Sequence, residues 1–163
     1  MEEKKKKLKI TDPVQALEKA KGWCAYQERS QQEMRDKLYE WGLWKDAVES
    51  IIAELITSNF INEERFAKAY AGGKFRIKKW GKVKIRIELK RKGVTEYCIR
   101  KGLQEIDGDE YEKALYKIIE ERARVTRDRN VLKRNYKIAQ YAISRGYEPQ
   151  LVWDALKMEA PGE

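Results

Sequence analysis

Three glycines constrain this chain more than any other feature. Gly42, Gly93 and Gly146 lie 51 and 53 residues apart, and apolar residues recur at fixed offsets around each. Eight positions before them stand Met34, Ile85 and Ile138; four before, Leu38, Leu89 and Ala142. One position after are Leu43, Val94 and Tyr147; six after, Val48, Ile99 and Val152; ten after, Ile52, Leu103 and Leu156. Apolar residues at i and i+4 make a stripe on one helix face, and a glycine beyond that stripe suits the left-handed position that closes a helix. A second amphipathic stretch follows each glycine. The spacing predicts a helix-turn-helix unit repeated three times.

Each unit has room for a leading helix, over 13–27, 63–77 and 110–125, and the third has a longer second helix over 130–145. The inward residues of the leading helices are expected to be Ala16, Ala20 and Trp23; Phe66, Ala69 and Tyr70; and Ala114, Leu115 and Ile118. Helix starts are marked by Asp12-Pro13, by Asn62 before Glu63 and Glu64, and by Thr95-Glu96, each a capping side chain before a helix-compatible first turn. No Asn-Gly or Asp-Gly turn joins two alternating runs, and Asp107-Gly108 falls between helical patterns. The expected fold is all-α: three tandem three-helix repeats over 12–59, 60–107 and 108–158. Residues 1–11 read as a disordered basic N-terminus and 159–163 as a tail. Each repeat is too small to stand alone and must pack on its neighbour.

Composition narrows the function. The chain has no histidine and two cysteines, Cys24 and Cys98, which leaves too few ligands for a structural zinc and removes the commonest general base. No glycine-rich phosphate loop is present. No apolar run reaches the roughly 18 residues of a membrane span, and no apolar core follows Lys4–Lys7 as a secretory signal requires. The cysteines are read as free thiols of a cytosolic protein. A binding protein without metal or catalytic site is expected.

The charge distribution predicts where it would bind. Residues 74–101 carry twelve basic and two acidic side chains, and their +10 exceeds the +9 of the entire chain. A block of this density suits a polyanion or an acidic protein surface, though charge runs also serve only as solvated faces. The candidates are Lys74, Arg76, Lys78, Lys79, Lys82, Lys84, Arg86, Lys90 and Arg91. Arg76 and Arg86 lead, because guanidinium forks fit carboxylates and phosphates. Val83 and Ile87 oppose Ile85 and Leu89 on the helical wheel and are read as packing against a neighbouring repeat, not as base contacts. Of the aromatic residues, Trp80 stands inside the basic block, while Trp41 and Trp44 flank the first glycine.

Three stretches carry a family resemblance. They are Tyr26-x-x-Arg29-Ser30-x-x-Glu33-Met34-x-x-Lys37-Leu38-x-x-x-Gly42, then Phe60-Ile61-Asn62-Glu63-Glu64-Arg65-Phe66-Ala67, then Arg76-x-x-x-x-Gly81-x-x-x-Ile85-x-x-x-Leu89-x-x-Lys92-Gly93-Val94. Together they resemble the RecX regulatory family over about residues 14–157, more weakly in the third repeat. Met34 stands where that family usually has Leu, and Trp41 where it has Lys. The resemblance implies an elongated, curved, all-α protein of tandem three-helix repeats. It implies a cytoplasmic regulator that needs no cofactor, lodges in the groove of the RecA nucleoprotein filament, and suppresses recombinase activity and filament growth. It supplies no catalytic residue. A monomer with weak affinity of its own for single- or double-stranded DNA is expected. The alternatives are a stand-alone nucleic-acid-binding helical repeat protein and a helical adaptor for another partner.

Overall fold

The computed structural model describes residues 9–157. The rest of the basic N-terminal stretch and the 159–163 tail lie outside the described residues. Helices α1 (Pro13–Tyr26), α2 (Gln31–Glu40) and α3 (Lys45–Thr57) make the first repeat. The second comprises α4 (Glu63–Gly73), α5 (Lys82–Arg91) and α6 (Glu96–Leu103). The third comprises α7 (Gly108–Val125), α8 (Val131–Ser144) and α9 (Pro149–Ala155). No strand occurs among the described residues. The helix starts follow local chemistry: Asp12, Asn62, Thr95, Asp107 and Asn130 each accept a hydrogen bond from a backbone N–H of the first turn. Ser30 and Glu33 form a reciprocal capping box on α2.

The three glycines behave alike. Gly42, Gly93 and Gly146 have φ of +100°, +77° and +101°. The next residue of each, Leu43, Val94 or Tyr147, donates its N–H to the carbonyl of Leu38, Leu89 or Ala142 at 3.2, 3.2 and 3.3 Å. This six-to-one bond closes a Schellman turn and directs the following helix back over the same apolar stripe. Met34, Ile85 and Ile138 are buried beneath the three turns, with Val48, Ile99 and Val152 facing them from the next helix.

Two cores lie along the chain. The first repeat has its own, built on Ala16, Met34, Leu38, Val48, Ile52 and Leu55. Ile10, within the stretch read as disordered, joins it, and its N–H donates to the Trp41 carbonyl at 2.8 Å. The second and third repeats share the other core, which runs from Phe66 through Ile85, Leu89 and Ile99 to Ile138, Tyr147 and Val152. Between the first and second repeats the seam includes polar links. The Gln31 N–H donates to the Glu63 carboxylate at 2.6 Å, Lys92 pairs with Glu33 at 3.1 Å, and Arg65 pairs with Glu28.

Several expected registers shift. In α4, Ala67 and Ala71 are buried while Ala69 faces solvent. In α7, Tyr111, Leu115 and Ile119 point inward, and Ala114 and Ile118 are only half-buried. In α1, Cys24 is buried and Trp23 half-buried. Helix α4 does not run regularly to residue 77: it widens into a π-helical turn at Lys74–Lys78 and stops at Lys79, whose φ is +56°. Val83 and Ile87 are not buried against a neighbouring repeat, although the Val83 N–H donates to the Gly146 carbonyl of the third. They are 39% and 47% exposed, because the third repeat docks on the N-terminal end of α5, leaving this side of the helix open. Both cysteines are free.

Candidate interaction surface

The π-helical turn shapes the basic block. Its wider backbone ring buries Phe75 and leaves Arg76, Ile77, Lys78 and Lys79 exposed. The Arg76 guanidinium folds back over α4, where a Cβ on Gly72 would lie 2.7 Å from its Nη1. Lysines then gather over aromatic rings. Lys74 Nζ lies 4.9 Å and Lys84 Nζ 4.5 Å from the Trp80 ring centre. Lys79 sits over Phe75 at 5.3 Å and Lys82 over Tyr111 at 4.8 Å. Such contacts hold ammonium groups without neutralising them.

The nine expected residues divide into two groups. Arg86 bonds Glu96 at 2.7 Å, Lys90 lies 3.8 Å from the same carboxylate, and Arg91 bonds Glu88 at 2.8 Å. These exposed pairs add little stability, but they cancel charge. Lys74, Arg76, Lys78, Lys79, Lys82 and Lys84 have no ion-pair partner among the described residues. The structure therefore separates the two favoured arginines: Arg76 is unpaired and Arg86 engaged. The unneutralised cations cluster between the π turn and the first turn of α5, where their mutual repulsion would be relieved by an anion.

The third repeat holds that cluster in place. Gly81 N–H donates to the Arg145 carbonyl and Val83 N–H to the Gly146 carbonyl, each at 2.9 Å, and Lys82 N–H donates to the Tyr111 hydroxyl at 3.0 Å. The first amides of α5 are thus occupied, so an anion here must be met by side chains and not by a free helix N-terminus. The Tyr111 hydroxyl donates in turn to the Glu148 carboxylate, and burial with this carboxylate pushes the phenol far above its usual range. The Tyr147 hydroxyl donates to the Lys79 carbonyl at 3.0 Å, and burial pushes that phenol up to about 12. Arg145 donates to the Lys78 carbonyl. The third repeat grips the backbone of 78, 79 and 81–83, which fixes the bases of the exposed lysines.

A second basic stretch lies in the third repeat. Residues 102–121 carry two basic and seven acidic side chains, whereas 122–137 carry seven basic and one acidic. Among the described residues there is no cluster of metal-ligating side chains, and no helix is long and apolar enough to cross a membrane.

Comparison with known proteins agrees with the repeat. A family model described as RecX, first three-helix domain, matches residues 16–55, and one described as RecX, second three-helix domain, matches 62–103; together they span half of the chain. The Regulatory protein RecX of Clostridium perfringens (strain 13 / Type A) is 30% identical over 122 residues, covering 74% of this chain and 57% of that protein. The Regulatory protein RecX of Prosthecochloris aestuarii is 33% identical over 97 residues, covering 60% of this chain and 64% of its own. The chain thus spans about half to two thirds of the length of these two relatives. The crystal structure of RecX from Lactobacillus salivarius superposes with a TM-score of 0.79 at 21% identity, covering 89% of this chain and 94% of that one, and so shares its fold.

Proposed function

The chain belongs to the RecX family, and from that membership and the basic middle repeat we propose that it regulates homologous recombination and DNA repair by binding the RecA nucleoprotein filament and restraining recombinase activity and filament extension. It acts by occupying surface, with no catalytic step or cofactor of its own, as a cytoplasmic monomer. The observation that carries this reading is the group of six cations without an ion-pair partner among the described residues, of which Lys74 and Lys84 lie over the Trp80 ring, beside a backbone at 78, 79 and 81–83 that the third repeat holds. A filament offers both acidic protein and phosphate to such a surface. Tandem repeats extend the contact along it, so subunit exchange is hindered.

The test is a charge-reversal variant, Lys74→Glu with Lys78→Glu and Lys84→Glu, assayed for inhibition of recombinase ATP hydrolysis and filament extension. Inhibition is expected to fall by at least about tenfold, the equivalent of roughly 1.4 kcal/mol, with helical circular dichroism unchanged. Undiminished inhibition would defeat the reading. A second reading, a stand-alone nucleic-acid-binding protein, draws on the two ammonium groups over Trp80, which suit a stacked base and its phosphates. It requires tight binding to bare DNA that weakens steeply with salt.

A further inference from the structure

The tip of the third repeat, where α7 ends and α8 begins, exposes a group of aliphatic side chains among cations. Val125 and Val131 are 67% exposed and Leu132 is 66% exposed. Val131 and Leu132 occupy the first two positions of α8, which Asn130 caps, so neither is needed to form the helix. Val125 also borders a shallow depression with Arg122, Arg127 and Tyr136.

Several charges at this tip are already engaged. Arg134 donates to the carbonyls of Thr126 at 3.1 Å and Ala123 at 2.6 Å, closing the end of α7. Arg124 pairs with Glu120 at 2.7 Å and Lys137 with Asp128 at 3.1 Å. Arg127, Arg129 and Lys133 are exposed and make no ion pair among the described residues. The loop that carries Arg127 and Arg129 is pinned at both ends, so the tip is a built surface and not a frayed turn.

We infer that this tip is a second docking surface, for an acidic protein face with an apolar centre on the same partner that the middle repeat meets. The inference rests on the proposed function for the identity of that partner. Charge complementarity selects an acidic occupant. The aliphatic residues select protein over nucleic acid, because Val and Leu cannot stack on a base and gain only by burial against apolar surface. Adjacent exposed aliphatic residues rimmed by arginine are the usual make-up of a protein contact. Two surfaces on one rigid pair of repeats would bind the partner at two points, and each raises the effective concentration of the other.

The experiment uses the full chain and two variants, Val131→Ser with Leu132→Ser, and Lys78→Glu with Lys84→Glu. Each is measured for binding to single-stranded DNA alone and to the same DNA coated with recombinase, at low and high salt, with sedimentation of the free protein as a control. The Ser variant is expected to bind the coated filament about tenfold more weakly, the scale of two partly buried aliphatic groups, to show the larger deficit at high salt, and to leave binding to bare DNA unchanged. An equal loss on bare DNA would make the tip a phosphate contact and overturn the inference. A loss of self-association on sedimentation would make the occupant a second copy of the chain, with the same consequence. An unaltered filament affinity, while the Glu variant loses its own, overturns the tip and leaves the proposed function standing. A wild-type chain that ignores the filament removes both.

Discussion

At Gly81 two repeats meet through backbone alone. A Cβ there would lie 2.2 Å from the carbonyl carbon and oxygen of Gly146, and neither can move without opening the bonds that cap α5. Gly93 has φ of +77° but open space around its missing side chain. The two glycines therefore serve different needs, and alanine separates them. Gly93→Ala should cost about 1 kcal/mol of left-handed strain, and Gly81→Ala about 3 kcal/mol of overpacking. Urea unfolding measures both, and equal losses would contradict the close approach. Tyrosine reports on the same junction. Burial raises the phenols of Tyr70, Tyr111 and Tyr147 above their ordinary value. A raised folded pKa gives stability that is complete below about pH 10, where an unfolded phenol begins to ionise, and that is lost as pH rises further. An absorbance titration should leave Tyr111 and Tyr147 protonated at about pH 11, with Tyr70 ionising above its ordinary value, until alkaline unfolding releases them. Ionisation of all nine at one pKa in a folded chain would contradict their burial.

Helix ends decide how neighbouring elements are joined. Glu63 is the first residue of α4, which Asn62 caps, and its carboxylate accepts the N–H of Gln31, the first residue of α2, so it ties together two helix starts in two repeats. Burial is the largest influence on it and lifts its pKa, against the opposing pull of the Gln31 amide. With the folded pKa raised, its contribution to stability is complete below the ordinary carboxylate value and declines as pH rises through the folded one. Glu63→Gln keeps an acceptor and removes the buried charge, so its stability at neutral pH should equal or exceed that of the wild type. Glu63→Ala orphans the Gln31 amide and should cost about 1 kcal/mol. Thermal melts between acid and neutral pH compare the three proteins, and a Gln variant as unstable as the Ala variant would show that the charge itself is required. This link also marks the limit of reading elements from sequence. The glycine turns were legible because a left-handed backbone position is written in one residue and repeats. The register of α7 was not, since Ala114 with Ile118 and Leu115 with Ile119 both satisfy helical spacing, and only the position of Tyr111 beneath α5 selects the second pair. The π turn left no periodic signal. The basic block was visible as a sum, but its division depended on Glu96, which reaches Arg86 only once α6 folds back beside α5.

Over the whole molecule, the two cores imply unequal mechanical units. The second and third repeats share apolar core and backbone hydrogen bonds through Gly81 and Gly146, so the basic cluster and the tip of α7 and α8 belong to one body. The first repeat closes its own core and meets that body at a seam that includes the Gln31–Glu63, Lys92–Glu33 and Arg65–Glu28 links. Partly exposed ionic links hold weakly compared with a continuous core. Such a division would let the first repeat adjust its angle to a curved or helical partner while the binding surfaces stay fixed relative to one another. Leu38 and Leu89 test it, since they occupy equivalent positions before their glycines and both are fully buried, one in each core. Truncating either to Ala should cost about 3–5 kcal/mol in its own unit. In native-state hydrogen exchange, Leu38→Ala should speed exchange across α1–α3 and leave α5 and α8 protected. Leu89→Ala should speed it across α4–α9 together, the third repeat included, although that repeat carries no substitution. Uniform loss of protection along the chain in both variants would mean that the seam transmits as much stability as the shared core, and the first repeat could not then move as a separate unit.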